Sequence, residues 1–407
     1  MYKVNKQTFA VYFLFIFFPL YAIPWVVKGM LLRKKGAFVL WAIFMGLLGV
    51  LYPPIGDIYQ YTKDYFLYKD CNWDYFLELV AFKFDFVLSF LSYFLGKIGL
   101  NFEICRFLYN FWGYYLLGVL YIDIVNRRFS LLSNKYDIYY LLGFFISFNI
   151  ITFLWRFGFS SILFVYGCYK IIFLHKKSGW IYTIISVLNH FSFLLFFIVL
   201  CLQQLHFFKF KKMVVVTICI IALFINGNTV AAILPYLPFN IVQRYSIYLD
   251  GYYATEYFAD HSWKYQLQVF LNSFVTYVAC YFYILTYKND NRDVLSFTNG
   301  VLCLACLSLP FDTMRMRFLA LLLLCIKVSF LWYYDGSRLK AKALRIMFWC
   351  VMMGNFINLW GIRRQLDVSE MSRIFHSNVF QILSFTYDER WIDKNVSADG
   401  GIIQINY

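Results

Sequence analysis

The sequence is poor in charged residues. Asp, Glu, Lys and Arg make up 14% of its 407 residues, whereas soluble domains carry about 25%. Hydrophobic residues make up 62% and aromatic residues 23%, and apolar runs of about 17–22 residues recur along the chain. This composition leaves too little polar surface to cover a water-soluble core. It excludes a soluble globular domain and predicts an integral membrane protein.

The sequence also lacks patterns that hold metals or disulfides. Its five histidines are scattered, without a metal-ligand spacing. Of ten cysteines, all but Cys71 fall in or beside apolar segments, so no outer disulfide pair is evident. Cys303 and Cys306 have a redox-motif spacing but lie inside an apolar run, where we interpret them as packing residues. We expect no metal and no cofactor.

The hydropathy pattern predicts an all-α, polytopic integral membrane protein with about twelve transmembrane helices. They form one domain over residues 1–361, with outer loops at 54–103 and 234–265 and a polar C-terminal tail at 362–407. The predicted spans are 8–27, 36–53, 104–122, 137–154, 157–174, 180–190, 191–208, 213–233, 266–287, 294–310, 316–334 and 345–361.

The formal charge of +15 comes from short cationic clusters between apolar runs, which favours a role in membrane orientation over nucleic-acid binding. Such clusters stay on the cytoplasmic side, which puts the N-terminus outside. The clusters are Lys28 with Arg33, Lys34 and Lys35; Arg127 and Arg128 with Lys135; Lys176 with Lys177; Lys209, Lys211 and Lys212; and Arg338, Lys340, Lys342 and Arg345.

This orientation restricts two apolar segments. An even number of crossings must separate consecutive cytoplasmic clusters, so one of three apolar stretches between residues 36 and 122 does not cross. We predict that 84–98 is an interfacial or re-entrant helix on the outer face, because charged residues flank it. An even number of crossings is also required between the third and fourth clusters. Residues 180–208 must therefore turn back, and Asn189 and His190 are the polar interruption where they do so.

Six polar residues from separate parts of the chain then fall on or near the outer face, which is the pattern of a site between helices. They are Asp57, Arg156, His190, Arg244, Arg315 and Arg317. An arginine between apolar runs, such as Arg156, is costly unless it meets an anion, a carbonyl group or water; the alternative is an interfacial arginine that snorkels. Because Arg315 and Arg317 are two residues apart, we expect one to face the site and the other to pair with Asp312.

These residue types indicate a lipid-linked glycan as the ligand. Arginine binds phosphate groups in a bidentate manner and stays charged when partly desolvated, so Arg156, Arg244, Arg315 and Arg317 are candidates for holding a diphosphate. Tyrosines near the outer face, including Tyr61 and Tyr245, suit sugar rings. His190 or Asp57 is the candidate base for a sugar hydroxyl. For each of these residues, an ordinary core, loop or interface position is the alternative interpretation.

Short motifs resemble those of Wzy-type O-antigen polymerases, close to the EpsG-like branch. Gly56 and Asp57 with Tyr61 are similar to that family's Gly-x-Asp with a later Tyr, with one residue fewer between Gly and Asp. Arg156-Phe157-Gly158 resembles its Arg-Gln-Gly, and His190-Phe191-Ser192 its His-x-Ser; Arg315 or Arg317 stands where a late arginine is expected. The resemblance covers most of residues 1–360, mainly in hydropathy layout.

The resemblance implies a metal-independent glycosyltransferase in the bacterial inner membrane. A glycan on undecaprenyl diphosphate would be transferred at the periplasmic face to an incoming lipid-linked repeat unit. It also implies membrane lipid and a chain-length regulator as partners. Two alternatives stay open: a flippase or other transporter of lipid-linked oligosaccharides, and an O-antigen ligase.

Overall fold

The computed structural model describes residues 6–81, 83–128, 135–146, 155–205, 212–222, 224, 236, 263–286, 293–398 and 400–403. Within these ranges the chain is helical and has no β-strand; one isolated antiparallel bridge joins Val396 and Ile402. The predicted all-α class is confirmed for the described part of the chain.

The described helices are numbered in chain order. They are α1 Lys6–Phe17, α2 Pro19–Leu31, α3 Lys35–Leu51, α4 Asp57–Asp70, α5 Trp73–Val80, α6 Val87–Lys97, α7 Phe102–Arg128, α8 Lys135–Phe145, α9 Trp155–Cys168, α10 Gly179–Asn189, α11 Phe193–Gln204, α12 Lys212–Ala222, α13 Trp263–Thr286, α14 Asp293–Leu307, α15 Asp312–Tyr333, α16 Arg338–Gly361, α17 Arg363–Asp367, α18 Val379–Leu383 and α19 Glu389–Asn395. A π-helical turn, Tyr169–Phe173, extends α9, and a 3₁₀ turn, Met371–Phe375, precedes α18.

Four helical segments are long and apolar enough to cross a membrane. They are Trp155–Phe173, Gln266–Thr286, Asp312–Tyr333 and Arg338–Gly361. A span needs about 20 residues, and six other apolar helices have 10–17 described residues. The structure therefore supports a helical membrane protein, while the number of twelve spans stays a prediction.

The first predicted span, 8–27, is not one helix. It is divided at Phe18 into α1 and α2, of 12 and 13 residues. Pro19 lacks an N–H group, and its ring disfavours helical geometry at the preceding residue, so the apolar run breaks where hydropathy alone shows no break. Tyr12 of α1 lies against Gly36 at the start of α3.

The two segments restricted by parity are short helices. The chain reverses at His190, and the ring of Trp180 in α10 lies 5.7 Å from that of Phe197 in α11, so the predicted turn is present. Helix α6, within the predicted interfacial segment, has 11 residues, about half the length of a span. It packs with α4 and α5 around a small apolar cluster that includes Phe76 and Tyr93.

Side-chain contacts mark one end of the helix bundle, which we call the cationic end. The guanidinium of Arg128, at the end of α7, lies 4.1 Å from the ring of Trp332 in α15. The Tyr334 hydroxyl donates to Asp137 of α8 at 2.7 Å. These contacts bring together the end of α7, the start of α8 and the end of α15, which lie in or beside predicted cytoplasmic clusters.

The opposite end of α15 belongs to what we call the site end of the bundle. Arg317 of α15 lies near Asp57 of α4 at 3.6 Å, and Arg156 of α9 near Asp85 at 3.2 Å. Fifteen residues of α15 separate Arg317 from Trp332, which corresponds to about 22 Å along the helix. Asp57, Arg156 and Arg317 thus lie at the opposite end of the bundle from Arg128 and Trp332.

The polar tail folds onto the site end. The Tyr387 hydroxyl donates to the carbonyl oxygen of Leu51 at 2.6 Å, and the Tyr387 backbone N–H donates to Glu103 at 3.2 Å. The Gly56 backbone N–H donates to the carbonyl oxygen of Gly400 at 2.8 Å. Arg106, only 1% exposed, lies 3.8 Å from Glu103 and 5.9 Å from the Tyr387 ring. The tail therefore covers a buried ion pair.

Replacing Tyr387 by phenylalanine should weaken this docking. The change leaves the Leu51 carbonyl without its buried partner, which costs about 1–3 kcal/mol. We expect a lower midpoint of thermal unfolding in detergent and faster proteolysis within residues 362–403. Tyr139→Phe is the matched control because Tyr139 is 53% exposed. Equal midpoints for the two variants would contradict a stabilising role for this bond.

Candidate functional site

A cavity of about 410 Å³ opens at the site end, and five of the predicted site residues line it. They are Asp57, Tyr61, Arg156, His190 and Arg317. They come from α4, α9, the α10–α11 turn and α15. Residues far apart in sequence thus meet in one concave site, as the convergence argument predicted.

Helix α4 supplies one wall of the cavity. It begins after Gly56, whose φ of +57° is accessible to glycine at little cost. Its lining residues are Asp57, Tyr61, Asp64 and Tyr68. Their spacing of i, i+4, i+7 and i+11 puts them on one helix face.

Arg156 lies in the first turn of α9 with its side chain 20% exposed. It pairs with Asp85 at 3.2 Å, and its guanidinium lies 5.0 Å from the centre of the Tyr61 ring. Its Nε–H is buried without a hydrogen-bond partner. Burial raises the pKa of the Tyr61 hydroxyl, and the opposing effect of Arg156 is smaller, so Tyr61 stays a neutral donor.

The two arginines of α15 have different surroundings. Arg317 lines the cavity and lies 3.6 Å from Asp57, whose side chain is 76% exposed. Arg315 instead donates to Asp312 at 2.8 Å and to the Leu309 carbonyl oxygen at 3.2 Å. The structure thus makes the choice that the sequence left open, and Arg315 is not among the residues that line the cavity.

His190 is held at the tip of the α10–α11 hairpin by its neighbour Asn189. The Asn189 amide donates to Ser160 at 2.7 Å and to the Arg156 carbonyl oxygen at 3.3 Å. The imidazole Nδ1 lies 2.8 Å from the Ser192 hydroxyl, and the Phe157 ring packs edge-on at 5.3 Å. The same hydrogen bonds therefore tie the positions of His190 and Arg156 together.

A second polar group lies further along α4. Lys83 donates to Asp64 at 3.1 Å and to the Tyr68 hydroxyl at 2.7 Å. The Tyr68 hydroxyl lies 3.4 Å from the hydroxyl of Ser89, and Ser92 also lines the cavity. Burial lowers the pKa of Lys83, but these hydrogen bonds outweigh it and the pKa lies above its ordinary value. Lys83 is therefore a cation at neutral pH.

Sequence reasoning missed four of the charged and tyrosine residues of this cavity. Asp64 and Tyr68 continue the helical spacing that begins at Asp57 and Tyr61, so extending that pattern by two turns would have found them. Lys83 and Asp85 are charges at the start of the segment predicted not to cross, and no local pattern connects them with Arg156. Two predicted residues, Arg244 and Tyr245, lie outside the described residues.

The described residues that line the cavity include as many acidic side chains as Lys and Arg side chains. Asp57, Asp64 and Asp85 face Arg317, Lys83 and Arg156 respectively. Each acid contacts one base at 3.1–3.6 Å. Ion pairing of this kind offsets the cost of taking charges out of water and fixes the cations in place.

Comparisons with known proteins give no assignment. No protein-family model, no curated protein and no solved structure matches this chain.

Because the site end and the cationic end lie at opposite ends of the bundle, we predict that cysteines placed at them are labelled from opposite sides of the membrane. Asp70 and Arg338 are exposed, near the site end and at the cationic end respectively. We expect Asp70→Cys and Arg338→Cys to react with a membrane-impermeant maleimide from opposite sides of sealed vesicles, because the two ends lie across the bundle. The unsubstituted chain gives the background from its ten native cysteines. Labelling of both variants from the same side would contradict the arrangement.

Proposed function

We propose that this protein is a polysaccharide polymerase of the bacterial inner membrane. It would transfer a glycan from undecaprenyl diphosphate to an incoming lipid-linked repeat unit at the periplasmic face. The observation that carries the proposal is the meeting of Arg156, Arg317 and His190 in one cavity, at the end of the bundle opposite Arg128 and Trp332.

The arginines would bind the diphosphate. A guanidinium has five N–H donors, and the Nε–H of Arg156 has no protein partner. Asp57 is largely exposed, so it can turn away from Arg317 when a phosphate group binds. The leaving diphosphate gains negative charge in the transition state. Fixed guanidinium groups would therefore stabilise the transition state more than the ground state.

His190 would accept the proton of the acceptor hydroxyl. In the tautomer whose Nδ1–H donates to Ser192, the Nε2 atom is free to act as a base. The acceptor oxygen forms a bond to the anomeric carbon, and the bond from that carbon to the diphosphate oxygen breaks. The proton passes to Nε2, and the bonding electron pair leaves with the diphosphate.

The position of the cavity favours an enzyme over a transporter. The charged residues that line it lie at one end of the bundle, whereas a transporter binds its substrate near the middle of the membrane. An O-antigen ligase would use the same diphosphate chemistry. The two enzymes differ in product: loss of a polymerase leaves one repeat unit attached to the lipopolysaccharide core, and loss of a ligase leaves the core bare.

Arg317 and Arg315 provide a matched test. In a strain that lacks the gene, we expect Arg317→Ala to give single repeat units and no ladder of long chains on a lipopolysaccharide gel. Arg315→Ala should restore the ladder, because Arg315 is not among the residues that line the cavity. Protein amounts in the membrane must be equal for both. A normal ladder with Arg317→Ala would exclude the proposed role, and a bare core would indicate a ligase or a flippase.

A further inference from the structure

The cavity has a second end that the diphosphate chemistry does not use. We infer that Asp64, Tyr68, Lys83, Ser89 and Ser92 form a binding subsite for one uncharged pyranose ring. The identity of the glycan rests on the proposed function, whereas the binding of a sugar at this place can be measured without any transfer reaction.

The distance between the subsite and the arginines allows one ligand to contact both. Seven residues of α4 separate Tyr61, beside Arg156, from Tyr68, which corresponds to about 10 Å along the helix. Both ends belong to one cavity of about 410 Å³. A lipid-linked glycan could therefore place its diphosphate against the arginines while a sugar occupies the end near Tyr68.

Hydrogen bonds connect the polar groups at this end of the cavity, so their orientations are fixed before any ligand binds. Lys83 bridges Asp64 and the Tyr68 hydroxyl at 3.1 and 2.7 Å. The Tyr68 hydroxyl, in a residue that is 2% exposed, lies 3.4 Å from Ser89. Pre-organised donors and acceptors lose little conformational entropy when a ligand binds.

The charges of this end favour an uncharged sugar over an anion. Lys83 and Asp64 neutralise each other, so the subsite offers hydrogen bonds without net charge. Their side chains are 39% and 41% exposed, and an exposed ion pair contributes little to stability. Sugar hydroxyls both donate and accept, and here they meet a carboxylate, an ammonium group and two serine hydroxyls. Leu88 adds an apolar contact.

Calorimetric titration of the full-length protein in detergent tests the inference. The probe is the repeat-unit oligosaccharide of the same bacterium, released from its lipid by mild acid and therefore without diphosphate. We expect the unsubstituted protein to bind it, and Asp64→Asn and Lys83→Met each to weaken binding by about tenfold or more, the effect of losing a hydrogen bond to a charged group.

Lys63→Met and Asp70→Asn are the matched controls, because both residues belong to α4 and are exposed outside the cavity. They should leave the affinity unchanged. Asp64→Asn preserves side-chain shape, so it keeps the test valid if Lys83→Met fails to fold. No binding by the unsubstituted protein, or equal binding by the variants and their controls, would overturn the subsite. Sugar binding without any polymerisation would instead overturn the proposed function and leave the subsite standing.

Discussion

The site depends on the cost of placing Arg156 at the start of an apolar helix. A guanidinium there requires partners, because a charge in a medium of low polarity is expensive when it is left alone. Asp85 provides the opposite charge at 3.2 Å, and Tyr61 provides a ring face at 5.0 Å. Asp85 lies in the segment before α6, and Tyr61 lies in α4. The contacts of the Arg156 side chain on α9 therefore bring three parts of the chain together.

Close packing between α9 and α10 transmits this arrangement to His190. A Cβ atom on Gly167 would lie 2.7 Å from the carbonyl oxygen of Gly179, so the two backbones approach as only glycine allows. Further along the same helix pair, the Ser186 hydroxyl donates to the Ser160 carbonyl oxygen at 2.8 Å. Asn189, beside His190, adds its hydrogen bonds to α9. Backbone proximity and hydrogen bonds thus hold the helix end that carries the imidazole.

The sequence predicted the helical class, the reversal at His190 and a meeting place for residues from distant parts of the chain. These predictions depend on hydropathy, charge and parity, which are properties of whole segments. It did not predict that α1 and α2 are separate, because hydropathy does not register the backbone effect of Pro19. Nor could it choose between Arg315 and Arg317, since the choice depends on how α15 is rotated about its axis. The pairing of Arg156 with Asp85 depends on packing across 71 residues of sequence.

The docked tail has a consequence for the order of assembly. The turn before α4 is made early in synthesis, yet its Gly56 N–H donates to the carbonyl oxygen of Gly400, which leaves the ribosome after helices α1 to α16. If the site end faces the periplasm, residues 362–403 must first be exported through the bilayer. A half-made chain could insert its helices and still lack the contacts that residues 362–403 make at the site end, so this end would stay incomplete until that segment is exported.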